Sequence, residues 1–350
     1  MKTHNYRAAI IGLGGISDVH IKSLIDIGIP IAALCDNKPN HVAAMVDKHK
    51  DHLQECATYT DYNELLNSDS ADGGIDVLHI CLPHYLHAPV AIAALEKGIH
   101  VVCEKPMATA VNDAEDMIAA AKKTGARLEV IFQNRFNPGS QAIKKAIESR
   151  ELGKVLGGWL QVTWHRDETY YTNSDWRGRW ETEGGGVLIN QSIHTFDLMN
   201  YFLASIGAPT AVYGSIANRA HPLIEVEDVA EGVIFYGDVK VSFFANNYHP
   251  YNAPVRLEII CEKGKLALRD DTATITYADG RIETCSTDDT TALLYGKSYW
   301  GYSHIKQIKA FYENLASGTG QLVCGEDGLI TQRLINGIYE SARLCEVYSI

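Results

Sequence analysis

The sequence predicts an α/β protein whose first part is a doubly wound parallel sheet and whose second part is a separate α/β unit built on an antiparallel sheet. Three observations predict it. Apolar β-type runs alternate with helical stretches as far as Arg135, the pattern of strand-helix-strand crossovers. A glycine-rich strand-to-helix turn occupies the opening of that alternation. Beyond Asn137-Pro138-Gly139 the texture changes to period-two alternation with turns at short intervals.

Candidate strands of the first part are Tyr6 to Ile11, Ile31 to Cys35, Val77 to Leu82, Val101 to Cys103 and Leu128 to Phe132. They are apolar on both faces, as strands covered by helices on both sides must be. Tyr6 to Ile11 feeds into Gly12-Leu13-Gly14-Gly15-Ile16-Ser17, and a helix follows with Ile16, His20, Leu24 and Ile27 on one face and Gly28 at its end. Glycines let such a turn approach a pyrophosphate, and the helix aims its partly positive N-terminus at the same anion. Ser17 stands where a third glycine usually falls, and a small residue still permits close helix packing. Asp36 closes the second strand twenty-two residues beyond Gly14, where a carboxylate accepts hydrogen bonds from an adenosine ribose. Further helices are predicted from Pro89 to Lys97 with Gly98 as terminator, and from Asn112-Asp113-Ala114-Glu115, which has capping-box spacing, to Gly125.

In the second part, a helix over Ser140 to Ser149 precedes a strand in which Trp159, Gln161 and Thr163 alternate with Leu160, Val162 and Trp164. Tyr236-Gly237-Asp238 and Asp279-Gly280 read as hairpin turns. Helices over Tyr302 to Ser317 and Glu326 to Val347 end the chain. The division is placed at residues 1–135 and 136–350, with a cleft between the units.

Composition narrows the function classes. A chain of 350 residues with 46% hydrophobic content can bury two cores. It contains no run of the roughly twenty apolar residues that a membrane span needs, and Met1-Lys2-Thr3-His4-Asn5 lacks the features of a secretory signal. The eight cysteines form no close pair of the kind that binds zinc, and most lie in apolar runs. A cytoplasmic protein without a metal centre is expected. Thirty-one basic against 43 acidic residues, a net charge of -12, disfavour nucleic acid and anionic membrane as partners.

Two segments could carry chemistry. Glu104-Lys105-Pro106 follows the fourth predicted strand, and ligands of open α/β sheets bind outside the carboxyl ends of strands, so Lys105 points into the cleft; the bland alternative is a solvated lysine. In Gly184 to His194, three glycines lead into a helix that carries Asn190 and His194 four residues apart, hence on one face. A packed core histidine is the alternative there, although three glycines in a row usually mark a close backbone approach. Trp164 to Tyr171 and Trp176-Arg177-Gly178-Arg179-Trp180 form a segment dense in aromatics and arginines, suited to a polyhydroxylated ring, or to stapling a long loop or meeting another subunit. His84, Tyr85 and His87 are further cleft candidates, or else cap the helix that follows; His304 is a weaker one.

Gly12-Leu13-Gly14-Gly15-Ile16, Asp36, Cys81-Leu82-Pro83, Glu104-Lys105-Pro106, Asn134-Arg135-Phe136 and the Gly184 to His194 stretch together resemble the Gfo/Idh/MocA oxidoreductases over nearly the whole chain. The resemblance implies an N-terminal Rossmann domain, a C-terminal α/β domain whose large, open, mostly antiparallel sheet serves oligomerisation as a homodimer or homotetramer, and NAD(P)-linked oxidation of sugars or cyclitols. It implies that Lys105 contacts nicotinamide ribose and reacting oxygen and that His194 is the general acid/base. Family members usually have Asp where this chain has Asn190, so the carboxylate that supports the histidine is missing at that position.

The expected cofactor groove comprises Gly12, Gly14, Gly15, Ile16, Asp36, Asn37, Cys81, Pro83, His84, His87, Glu104 and Lys105, and the expected substrate pocket Lys105, Tyr170, Trp176, Arg177, Asn190 and His194. NAD is preferred because Asp36 repels a 2′-phosphate, while Lys38 leaves NADP open. The expected reaction is hydride transfer from a secondary hydroxyl of a sugar, glycoside or cyclitol. An NAD-dependent glycosidase working by transient oxidation and elimination, and a non-catalytic dinucleotide and sugar sensor, stand as alternatives.

Overall fold

The computed structural model describes residues 6–68, 74–286 and 303–350; the N-terminal Met1–Asn5 segment and Tyr302, the expected start of a helix, lie outside them. The first unit runs β1 (Ala8–Ile11), α1 (Ser17–Ile27), β2 (Ile31–Cys35), α2 (Pro39–Lys48), α3 (Lys50–Leu53), β3 (Ala57–Tyr59), α4 (Tyr62–Asn67), β4 (Val77–Ile80), α5 (His87–Leu95), β5 (His100–Cys103), α6 (Val111–Thr124) and β6 (Leu128–Val130). Its six strands are parallel in the order β3-β2-β1-β4-β5-β6. Strand order reverses between β1 and β4, which opens a crevice at their carboxyl ends.

The expected strands stand where the sequence puts them, β1, β4 and β6 shortened by two residues and β5 starting one residue earlier, at His100. Strand β3 escapes a sequence reading because it is a three-residue edge with Ala57 and Thr58 exposed, so it carries no apolar run. Helix α5 begins earlier than expected, at His87, since Pro89 fits a first helical turn without losing a hydrogen bond. The capping box expected at Asn112 does not form: Ala110 is the N-cap, and Asn112 is already helical.

The second unit follows with α7 (Pro138–Glu148), β7 (Val155–Thr163), α8 (Glu168–Thr172), α9 (Trp180–Glu183), α10 (Ile193–Leu203), β8 (Ala211–Ala217), β9 (Val229–Tyr236), β10 (Val239–Asn246), β11 (Arg256–Cys261), β12 (Gly264–Arg269), β13 (Thr272–Tyr277), β14 (Ile282–Cys285), α11 (His304–Ser317), α12 (Gly325–Leu344) and β15 (Tyr348–Ser349). Nine strands form a sheet in the order β14-β13-β12-β11-β7-β10-β9-β8-β15, antiparallel except for the β7–β10 pair. Both expected hairpins, β9–β10 and β13–β14, are present.

A division at residue 135 separates the two sheets, but the packing crosses it. Helix α11 returns to the first unit, where Ile308, Phe311 and Tyr312 join Ile10, Leu24 and Val77 in one core; burying each large apolar side chain contributes ~1.5–3 kcal/mol. Arg135 fastens the same seam. Buried, it meets Asp197 of α10 with Nε and Nη2 at 2.8 and 2.7 Å and reaches Asp327 of α12 at 3.2 Å. Among the described residues no helix is long and apolar enough to cross a membrane and no cluster could hold a metal ion.

Candidate active site

The turn after β1 is shaped by its neighbours. Gly12 sits at φ 83°, and a Cβ there would lie 2.6 Å from Cys81 O, so only glycine fits between β1 and β4. Gly14 and Gly15 differ: no protein atom lies within 4 Å of where a Cβ would be, and their backbone, with Ile16, borders open space at the start of α1. Asp36 is buried and orders the turn, its Oδ2 accepting from Leu13 N at 2.7 Å and its Oδ1 from Lys38 N at 2.9 Å. Asn37 is exposed beside it. Lys38 Nζ pairs across the groove with Asp175 of the second unit at 3.2 Å.

Around the carboxyl ends of β4 and β5 the polar groups are tightly partnered. His87, expected in the cofactor groove, is instead fully buried, with Pro106 O and Leu82 O within 2.7 and 2.8 Å of its two ring nitrogens, so it ties the two loops together and offers its side chain to no ligand. His84 donates Nδ1–H to Glu183 O at 2.8 Å and packs 4.6 Å from the Trp176 ring. Behind them Glu104 anchors a buried chain. Tyr312 OH is 3.0 Å from His79 Nε2, His79 Nδ1 2.9 Å from His20 Nδ1, and His20 Nε2 3.1 Å from Glu104 Oε1. Burial holds both histidines below their ordinary pKa, so neutral rings fix the proton positions: tyrosine donates to His79, His79 to His20, and His20 to the carboxylate. His304 approaches the same oxygen at 3.3 Å. Although burial works to raise Glu104, these hydrogen bonds keep its carboxyl well below the usual range.

Lys105 projects from that base toward the second unit, where Nζ donates to Asn190 O at 2.8 Å and Asn190 Oδ1 at 3.1 Å. Burial pushes its ammonium down to about 8, against the pull of Glu104 and Glu183. Asn190 belongs to a π-helical turn, Val187–Ser192, that leads into α10. The single α-helix expected here is thus widened at its start. The preceding triplet is glycine because the protein itself closes on it: Cβ atoms at Gly184, Gly185 and Gly186 would fall 2.8 Å from Thr109 Cβ, 1.9 Å from Tyr339 OH and 1.9 Å from Glu227 O. Glu227 caps the turn by accepting from Gly186 N and Leu188 N at 2.8 and 2.9 Å.

Asn190 and His194 both approach Lys105 but through different surroundings. Asn190 Nδ2 faces Glu183 Oε1 at 2.5 Å and Tyr170 OH at 3.1 Å. His194 lies edge-on to Phe132, and its Nδ1 has no hydrogen-bond partner among the described residues. Burial and then the Lys105 charge hold His194 well below the ordinary histidine pKa. The Arg177 guanidinium stacks 4.3 Å above Tyr170 and 4.9 Å from Trp176. Tyr170, Trp176, Arg177, Asn190, His194 and Lys105 therefore meet at one place. Sequence reasoning missed Glu183, which reads as one of two solvated acids in Trp180-Glu181-Thr182-Glu183; only its position before the glycine triplet hinted otherwise.

Residues 6–132 match the oxidoreductase family with an NAD-binding Rossmann fold, and residues 140–267 match the Gfo/Idh/MocA C-terminal domain. The chain belongs to the Gfo/Idh/MocA family. This family member is 28% identical over 340 residues to the uncharacterized oxidoreductase YrbE of Bacillus subtilis (strain 168), covering 95% of this chain and 93% of that protein. It is 25% identical over 320 residues to the inositol 2-dehydrogenase of Salmonella paratyphi B, covering 89% and 86%. The WlbA dehydrogenase from Bordetella pertussis, crystallised with NADH and UDP-GlcNAcA, matches over 99% of both chains with a TM-score of 0.83 and 28% identity. The Gfo/Idh/MocA assignment makes the first unit an NAD-binding Rossmann domain and the protein an oxidoreductase.

Proposed function

We propose that this oxidoreductase oxidises a secondary hydroxyl of a sugar, glycoside or cyclitol, with Lys105 holding the oxygen and His194 taking its proton. The observation that carries the reading is one cation and one neutral imidazole brought together at the carboxyl end of β5. Burial and the Lys105 charge hold the part-exposed His194 ring neutral, the protonation state a general base needs. Lys105 is anchored on Asn190 and places positive charge where an alkoxide develops. Tyr170, Trp176 and Arg177 offer flat faces and donors to a polyol ring, and likeness to an inositol 2-dehydrogenase supports that substrate class.

The open backbone at Gly14 and Gly15 and the Asp36 carboxylate fit a dinucleotide. NAD, when bound, supplies the hydride acceptor. Gly12, Gly14, Gly15, Ile16, Asp36 and Asn37 would hold its adenosine and pyrophosphate side, and the backbone around Cys81, Pro83, His84, His87 and Glu104 would border the rest.

Screening sugars, glycosides and cyclitols for accumulation of NADH tests the reaction and separates net oxidation from transient oxidation within a glycosidase cycle. Lys105→Met and His194→Ala should each lose ~10²–10⁴-fold in turnover, with NADH affinity nearly unchanged and partial rescue of His194→Ala by imidazole. Near-normal turnover in either variant would refute the role assigned to that residue.

A further inference from the structure

The Lys105 ammonium gives both of its hydrogen bonds to neutral oxygens, the Asn190 carbonyl and Asn190 Oδ1. A part-buried cation is favoured by a counter-charge. Glu104, its neighbour in sequence, already takes His20 and His304 at Oε1 and the Lys105 amide at Oε2. A second carboxylate, that of Glu183, also acts on the ammonium. Glu183 is fully buried, with Oε1 2.5 Å from Asn190 Nδ2 and Oε2 accepting from Gly178 N at 2.5 Å.

Both groups facing that carboxylate are donors. An ionised carboxylate accepts from the two of them at once, whereas a glutamine or a protonated carboxyl sets a donor against one. The constraint passes through the amide: with Nδ2 held by Glu183, Oδ1 has to face Lys105. We infer that Glu183 is a positioning residue of this site, its carboxylate acting through the Asn190 amide to aim Lys105 at the reacting oxygen and to balance its charge. The inference rests on the role proposed above for Lys105.

The charged and titratable groups around Glu183 are Lys105 and Arg177, with Tyr170, Tyr171, Tyr339 and His84. Burial raises the Glu183 carboxyl to about 7, opposed by its bonds to Gly178 and Asn190 and by the two cations. Protonation replaces an acceptor by a donor, so turnover falls as the pH drops through that value.

Turnover across pH, NADH binding by fluorescence and melting temperature are to be measured for Glu183→Gln, for the exchange Glu183→Gln/Asn190→Asp, and for Lys105→Met. In the exchange every bond keeps a matched partner: the amide at 183 accepts from Gly178 and donates to the carboxylate at 190, which accepts from Lys105. Glu183→Gln should lose ~10–100-fold in kcat, the range seen when a supporting partner of a functional group is removed, with NADH affinity kept. The exchange should recover most of that loss, with its acid limb moved to lower pH because the carboxylate now pairs directly with the ammonium. Unchanged kcat in Glu183→Gln, an exchange variant no better than the single one or unable to fold, or an acid limb that stays in place overturns the inference. If Glu183→Gln does not fold, the exchange variant decides alone. Turnover surviving in Lys105→Met would instead sink the underlying reading of Lys105, whereas an inactive Lys105→Met beside a normal Glu183→Gln sinks only the role of Glu183.

Discussion

Lys105 and His194 show burial serving two ends at neighbouring side chains. Desolvation disfavours the charged form of each, which leaves His194 neutral, as the proposed base has to be, and brings Lys105 close to losing its proton. For Lys105 the sign is definite: a lowered lysine pKa means the charged form exists below about 8 and is lost above it. Sugar oxidation that depends on this charge should fall on the alkaline side, and Lys105→Arg, whose guanidinium stays charged, should abolish that limb at a reduced plateau. A pH–rate profile of kcat checks it; an alkaline limb identical in both enzymes would show that another group titrates there.

At the level of elements, the seam between the units depends on helix-borne acids meeting a buried guanidinium at the end of the first sheet. Arg135→Met leaves Asp197 buried without its cation, and breaking such a pair costs about 3–5 kcal/mol. In the variant the Asp197 carboxyl, already raised by burial in the intact protein, rises further above its unfolded value. The penalty is therefore fully present above the raised folded-state value and shrinks as pH falls through it toward about 4, where the unfolded carboxyl also binds a proton. Urea unfolding of both proteins at several pH values measures this; a difference independent of pH would count against it. The turn after β1 gives a second case. Asp36→Ala with Asn37→Arg should raise NADP use relative to NAD, and because Leu13 N loses its acceptor, affinity for both dinucleotides should weaken. Binding titrations with NADH and NADPH decide it, and an unmoved preference would place the 2′-position elsewhere.

For the whole molecule, the broad sheet of the second unit leaves one face open. Trp159, Ser242, Val233 and Tyr213 stand in register across β7, β10, β9 and β8, and Ile260 pairs with Gly157 on the same face. Trp159, Tyr213 and Ile260 are exposed there among polar neighbours such as Ser242 and Lys240, and exposed apolar groups set in a polar surround mark an interaction surface. The expected homodimer or homotetramer would cover it. Light scattering should then find two or four chains in the native protein, and Trp159→Lys/Ile260→Lys should shift it to a smaller species that still binds NADH. An unchanged mass would place the interface elsewhere.

The alternation that makes the parallel sheet, the glycine turn with Asp36, the lysine at the end of β5 and the hairpins of the second sheet are all legible in the sequence. Each of these is set by side-chain periodicity or by backbone sterics a few residues apart. Tertiary structure decided the rest, because it depends on which distant groups lose water together. Glu183 becomes a buried partner of Asn190 only where Gly178 and His84 close over it, and His79, His20 and Glu104 form a chain only because β4, α1 and β5 are stacked. The glycine triplet was legible as a close approach, but that Tyr339 and Glu227 are what approach it depends on residues far along the chain. Likewise α11 reads as an ordinary amphipathic helix in sequence; its return to the first unit follows from the apolar surface left uncovered there, a property that only the packed sheet possesses.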